Sequence, residues 1–210
     1  MVVNAFVSGL IAILTGYFLG SFPSAYLFTR WITGKDIRKL GGGNIGGLNT
    51  FKEAGILPAI AVAVFDVGKG ALAVAITHYT MHLDKPYVLM SALGAVMGHN
   101  WMPWLKFSGG KGMGATVGTL VLILPVYGYT KELAIFAAFI AMPLLITRNI
   151  ALSNGIGLLA LPFIAWLSMH SGTMVVWSIA LGLIIAVKFT PTALAALQKN
   201  PNIKDYIKGS

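Results

Sequence analysis

The chain has 210 residues, 57% of them hydrophobic and only 10% charged, with a formal net charge of +9 and a mean hydropathy of +0.80. A water-soluble domain carries about 25% charged residues, so these numbers exclude a soluble fold and point to one solvated by lipid. With no cysteine, neither a disulfide framework nor a Cys-based zinc site is available.

A helix of about 20 apolar residues crosses a bilayer core. Seven such stretches are read, at about 4–29, 56–81, 86–107, 112–130, 132–148, 150–169 and 173–197. They predict an all-α integral membrane protein of about seven transmembrane helices, built as a single domain over residues 1–210. The first stretch lacks a basic n-region and a small-residue cleavage site, so it reads as a retained span. Within it, Ser21 and Pro23 in "LGSFPSAY" mark a break, read as a kink ahead of a nucleophile.

The next segment, "GKDIRKLGGGNIGGLNTFKEAG" over 34–55, places glycines and two asparagines among basic residues. Glycines let backbone N–H groups turn inward and approach a ligand closely, and such nests bind phosphate oxygens. Gly43, Asn44, Gly46 and Asn49 are the candidate donors, with Arg38 and Lys52 supplying countercharge; a flexible connector is the other reading. The second span carries "FDVGKG", in which Asp66 and Lys69 stand at i, i+3 on one helix face. Intramembrane charges pair and face the bundle interior, so they read as a structural ion pair or as support for loop residues above.

"GHNWMPWLKFSGGKGMGATVG" over 98–118 opens the fourth span on glycines. Gly109, Gly110, Gly112 and the first N–H groups of that helix would lie together beside Lys111, a seat for phosphate or carboxylate. The P-loop pattern G-x-x-x-x-G-K-[ST] is absent and no strand precedes it, which disfavours nucleotide hydrolysis. His99 is read either as a packing histidine or as a base. None of His78, His82, His99 and His170 falls in an H-E-x-x-H pattern, and no metal is expected. "TRNIALSN" over 147–154 brings Arg148 and Ser153 to a third turn, with Arg148 alone also explicable as an anchor.

Orientation follows from Lys and Arg. With the N-terminus outside, twelve of the fifteen lie in inside loops and the tail, from Arg30 to Lys208; Lys85 and Lys131 lie outside, and Lys69 falls within a span. The C-terminus is then cytoplasmic. G-x-S-x-G is missing, and the six acidic residues form no clustered pair. Chemistry on this scaffold would run on positioning and positive electrostatics, which suits an already activated substrate.

These motifs, in this order, resemble those of the bacterial acyl-phosphate:glycerol-3-phosphate acyltransferases, the PlsY family. The family's G-S-x-P appears as Gly20-Ser21-Phe22-Pro23, and its R-x-x-G-S-G-N-x-G-A-T-N is similar to Arg38 to Asn49. F-D-x-x-K-G matches 65–70, the G-H…G-G-K-G segment matches 98–112, and R-Y-x-S-L-A-S is similar to "RNIALSN". Gly42 stands where the family has serine, Lys52 where it has arginine, and Lys199 where it has histidine, while Asn202 keeps the asparagine of the C-terminal motif. The chain therefore resembles a diverged member.

The resemblance implies a multi-pass enzyme of the bacterial plasma (inner) membrane, acting in phospholipid biosynthesis. Its substrates would be acyl phosphate and glycerol 3-phosphate and its product lysophosphatidic acid. No cofactor, no metal and no nucleic acid are implied, membrane lipid is its surroundings, and a monomer is expected. Lys52, Lys199, Asn202, Ser21 and His99 become the catalytic candidates. Arg38, Gly43, Asn44, Gly46, Asn49, Gly109, Gly110, Lys111, Gly112, Arg148 and Ser153 become the phosphate-binding set. The three departures motivate an alternative: a non-catalytic membrane protein that binds or transports a phosphorylated small molecule.

Overall fold

A computed structural model describes residues 4–199, the side chains of 192, 193 and 195–199 apart. Helices account for nearly all of it, and no strand occurs among the described residues. Five helical segments are long and apolar enough to cross a membrane: Ala5–Thr33, Ile56–Thr80, Thr130–Thr147, Ile150–Leu167 and Gly172–Pro191. Large apolar side chains that a soluble protein would bury stand exposed, such as Leu57 at 77% and Leu145 at 80%.

Two compact units divide the chain, the first ending at Ile123 and the second beginning at Leu124. In the first, α1 (Ala5–Gly20) and α2 (Ser24–Thr33) are one span interrupted at Ser21-Phe22-Pro23. Pro23 has no N–H and cannot continue the ladder. The Leu19 carbonyl accepts from the Phe22 N–H at 3.4 Å, and the Phe22 carbonyl accepts from both the Ser24 N–H at 3.0 Å and the Lys69 ammonium at 3.1 Å, so neither is left unpaired in lipid. A short amphipathic helix, α3 (Gly47–Ala54), turns through Gly55 into α4 (Ile56–Ala75). Next come α5 (Lys85–Asn100) and α6 (Met113–Val126), which runs just past the unit boundary.

Small residues set the packing. A side chain at Gly16 or Gly20 of α1 would strike the α5 backbone at Ser91 and Ala95, and one at Gly94 or Gly98 would strike α1 at Ile13 and Tyr17. Lipid supplies no hydrophobic drive between helices, so close backbone approach and dispersion hold them together. Gly70 of α4 meets Ala115 of α6, and Gly118 of α6 meets Val67 of α4, in the same way.

The sequence reading carried the third span to residue 107; the helix stops at Asn100. Met102 precedes Pro103, and that pairing disfavours helical backbone. The chain instead makes a 3-10 turn at Pro103–Leu105 and returns as Ser108 pairs with Met102. Two of its apolar residues are used inward, while Trp104 and Phe107 stay exposed. Met102 and Leu105 join Ala25, Ile37, Ile45 and Val62 in a buried cluster that ties the 101–112 loop to the 34–46 loop.

The second unit holds α7 (Thr130–Thr147), α8 (Ile150–Leu167) and α9 (Gly172–Lys199). Glu132 of α7 is buried and accepts from the Ser168 hydroxyl at 2.7 Å. An apolar groove of about 380 Å³ runs between α7 and α8, lined by Ile135, Phe139, Phe163 and Leu167 among others.

Candidate functional site

The 34–46 loop is held from within. Asp36 caps the turn Ile37–Lys39 by accepting from the Arg38 N–H at 3.0 Å. The same carboxylate grips the Arg38 guanidinium, Nε at 3.0 Å and Nη2 at 2.6 Å, which holds the Asp36 carboxyl down at about 2. Arg38 also lies over the Tyr26 ring, 5.5 Å from its centre, and donates to the Leu105 carbonyl at 3.3 Å. One arginine thus joins α2, the first glycine loop and the second.

Asn49, at the start of α3, is buried. Its Nδ2 donates to the carbonyls of Leu40 and Asn44, each at 3.1 Å, and lies 3.5 Å from that of Ile37. Those contacts make Asn49 the staple of the loop. Between the stapled carbonyls, Gly43 adopts φ +67, a left-handed conformation that glycine takes without a steric penalty. Asn44 is half-buried and Lys52 is exposed. At Gly42 a side chain would have open space around it, so serine is not excluded there on steric grounds.

The second glycine turn rests on the first. A side chain at Gly110 would overlap His99 Nε2 and come within 2.6 Å of the Ile45 carbonyl. The backbone N–H of Gly110 donates to the His99 carbonyl at 3.0 Å. Gly109 packs against the carbonyls of His99 and Asn100, and Gly112, at φ +79, against the Asn100 side chain. Lys111 follows on this turn, half-buried, and burial pushes its pKa below the ordinary lysine value. Burial strips water from its ammonium, a loss that a bound anion would offset.

Beneath both turns lies a buried polar cluster. Asp66 Oδ1 accepts from Ser24 Oγ at 2.7 Å and pairs with Lys69 Nζ at 2.8 Å; His99 Nδ1 stands 3.5 Å away. Ser21 is also buried. Its hydroxyl donates to the Phe18 carbonyl at 2.8 Å and accepts from Trp104 Nε1 at 2.9 Å. These bonds link the α1 break to the 103–105 turn and occupy the hydroxyl.

In the second unit, Arg148 ends α7 in a left-handed conformation and is exposed. Asn149 caps α8 by accepting from the Leu152 N–H, and Ser153 Oγ donates to the Asn149 carbonyl at 2.8 Å. Lys199 closes α9 with its side chain outside the described residues, and Asn202 lies outside them altogether. Sequence reasoning passed over Asp36, Ser24 and Tyr26. Asp36 was legible in principle as an acid two residues from Arg38; the other two were not, because their partners come from distant parts of the chain.

An all-helical integral membrane protein with paired glycine turns around cationic groups is the class this architecture defines. A family model described as glycerol-3-phosphate acyltransferase matches residues 10–209, and the chain belongs to that family. It is 47% identical over 194 residues to glycerol-3-phosphate acyltransferase 1 of Dehalococcoides mccartyi, covering 92% of this chain and 90% of the relative. To glycerol-3-phosphate acyltransferase 2 of Moorella thermoacetica it is 33% identical, covering 96% and 95%. Among solved structures it is similar to PlsY (YgiH), an integral membrane glycerol 3-phosphate acyltransferase, in the glycerol 3-phosphate form. The TM-score is 0.80 at 20% identity, covering 91% of this chain and 93% of that one. At that identity the likeness establishes the fold.

Proposed function

We propose that this protein transfers a fatty acyl group from acyl phosphate to the 1-hydroxyl of glycerol 3-phosphate, forming lysophosphatidic acid and inorganic phosphate for phospholipid synthesis. The observation that carries this reading is the seating of Gly110 between His99 and the Ile45 carbonyl, which puts the two glycine turns side by side. Two phosphates must be held for this reaction, one on each substrate, and the turns carry Asn44, Lys111 and Arg38.

Acyl phosphate is a mixed anhydride, so its leaving group departs without covalent help from the protein. The acceptor hydroxyl oxygen bonds to the carbonyl carbon, the bond from that carbon to the phosphate oxygen breaks, and phosphate leaves. The hydroxyl proton passes to a phosphate oxygen, so no protein base is needed. Positive groups stabilise the charge that builds on the carbonyl and leaving oxygens. In this reading Asn44, Gly109, Lys111 and Gly112 bind phosphate, while Gly43, Gly46 and Gly110, whose N–H groups donate to the carbonyls of Leu40, Asn44 and His99, shape the turns with Asn49. Arg38 and Lys52 add donors from the first glycine loop and α3, and the resemblance alone assigns Arg148, Ser153, Lys199 and Asn202 to the same chemistry.

The membrane arrangement belongs to the same proposal. The five long spans with α5 and α6 make seven, the N-terminus outside and the C-terminus in the cytoplasm of a bacterial inner membrane, with the chain acting as one domain and a monomer. The positive-inside distribution supports it, as does a family match running almost from end to end.

The test uses purified protein in lipid with palmitoyl phosphate and labelled glycerol 3-phosphate. Lysophosphatidate is expected from the native chain and is lost on Lys111→Ala and on Asn44→Ala. Retained binding of glycerol 3-phosphate without product overturns the enzymatic reading in favour of a non-catalytic phosphate binder.

A further inference from the structure

Asp66 is a buried group facing three side chains in the first unit, Ser24, Lys69 and His99, and phosphate binding does not explain it. Lys69 matches its charge one for one at 2.8 Å, which accounts for an ion pair inside a membrane helix. That pair leaves the orientation of the other two partners, Ser24 and His99, unexplained. The imidazole is buried at 3% exposure. Its Nδ1 faces Asp66 Oδ1 at 3.5 Å, and its Nε2 faces Gly110 so closely that only a glycine fits there. One turn further along, a side chain at Gly114 would come within 2.7 Å of the Asp66 β-carbon. The glycine turn and the start of α6 are therefore laid over a floor made of Asp66 and the ring it orients.

Resting on the acyltransferase reading above, we infer that Asp66 is a positioning residue for that site. It holds His99 with the hydrogen on Nδ1, so that the Nε2 edge sets the height of Gly110 and brings Lys111 and the backbone that follows it to the phosphate. Ser24, donating to the same oxygen at 2.7 Å, fixes the carboxylate plane from α2. Without that hold the ring turns, and Gly110 can no longer keep its place between the imidazole and the Ile45 carbonyl. A displacement of about 1 Å in a positioning element reduces turnover about a hundredfold.

A plain ion pair predicts something different. Replacing a buried pair by apolar residues of similar volume is often neutral or stabilising. Asp66→Leu with Lys69→Met removes both charges and also the oxygen that faces His99 Nδ1, whereas Asp66→Asn with Lys69→Met removes the charges and keeps an acceptor there. Both pairs and the native protein are assayed for melting temperature, glycerol 3-phosphate dissociation constant and lysophosphatidate formation. The expected result is that both pairs stay folded and the Leu/Met protein loses about a hundredfold in turnover, while the Asn/Met protein recovers most of it. Equal activity of the two pairs, at any level, overturns the inference.

Nitrogen-15 spectra of His99 in the native protein supply a readout independent of folding in the variants. Hydrogen on Nδ1 is expected, and hydrogen on Nε2 overturns the assignment. If the native chain binds glycerol 3-phosphate but makes no product, the proposed reaction fails; the His99 spectra and the dissociation constants of the two pairs still decide the role of Asp66.

Discussion

Lys111 pays for its place on the glycine turn with part of its hydration, and that has a consequence for pH. Burial lowers its pKa below the ordinary lysine value, so the protein without substrate loses this proton as pH rises toward, but before reaching, about 10.4. A bound phosphate favours the ammonium and draws the pKa back up. The KM for glycerol 3-phosphate is therefore expected to climb on the alkaline side, and Lys111→Arg, which stays charged, should flatten that climb while lowering kcat. Asp36 behaves oppositely. Its carboxyl, held at about 2 by Arg38, contributes stability that is complete above the unfolded value of about 3.9 and is lost only as pH falls through about 2. No break from it is expected in a pH–rate profile between about pH 5 and 9, well above both values. Asn49 is a different kind of residue, and its replacement tests the loop. Asn49→Ala removes the donor shared among the loop carbonyls of Leu40, Asn44 and Ile37, which then keep only their turn bonds from the N–H groups of Gly43, Gly46 and Leu40, and each hydrogen bond lost costs about 0.5–1.5 kcal/mol. Faster proteolysis at 40–46 and a raised KM are expected, with the helices retained by circular dichroism.

Helices in this protein meet through their backbones. A β-carbon at Gly98 would overlap the Tyr17 carbonyl on α1, whereas at Gly182 of α9 nothing lies within 4 Å. Overpacking a well-packed interface costs about 1–3 kcal/mol. Gly98→Ala should thus lower the melting temperature in detergent, and Gly182→Ala should leave it within error. The break between α1 and α2 makes a related point. Pro23 ends one ladder, Lys69 donates to the Phe22 carbonyl beside its turn bond from Ser24, and α2 then carries Ser24 and Tyr26 to the site. A kink that looked local in the sequence is a device for delivering side chains. The residues from Trp101 to Phe107 show the limit of hydropathy as a signal. Apolar sequence reads alike whether it faces lipid or fills the core beneath a loop, and only the packing of Met102 and Leu105 with Ile37 and Ile45 distinguishes the two.

On the scale of the molecule, the charge distribution makes the most direct test of arrangement. The chain contains no cysteine, so a single introduced thiol reports without background. Lys39→Cys and Lys106→Cys should react with an impermeant maleimide only from the cytosolic face, and Lys85→Cys and Lys131→Cys only from the opposite one. Labelling of positions 39 and 85 from the same face would end the seven-span proposal. At 16 and 14 residues α5 and α6 are about 24 and 21 Å long, short of a hydrocarbon core of about 30 Å. Irregular backbone is tolerated at membrane depth only where protein buries it. Met102 and Leu105 of the 101–112 loop are buried against the first glycine loop, while Trp104, Lys106 and Phe107 stand exposed.

The sequence by itself determined that this is a helical membrane protein, which residues are charged within lipid, and which motifs place it among the acyltransferases. Composition, hydropathy and motif order are properties of the chain read in one dimension, and a bilayer leaves few folds open to such a chain. Only the tertiary structure decided that Asn49 staples a loop, that Ser21 and Arg38 are already engaged, and that His99 lies under Gly110 with Asp66 behind it. Each of those statements concerns partners up to 83 positions apart. Spacing along the chain carries no record of which backbone will pass within van der Waals reach of another.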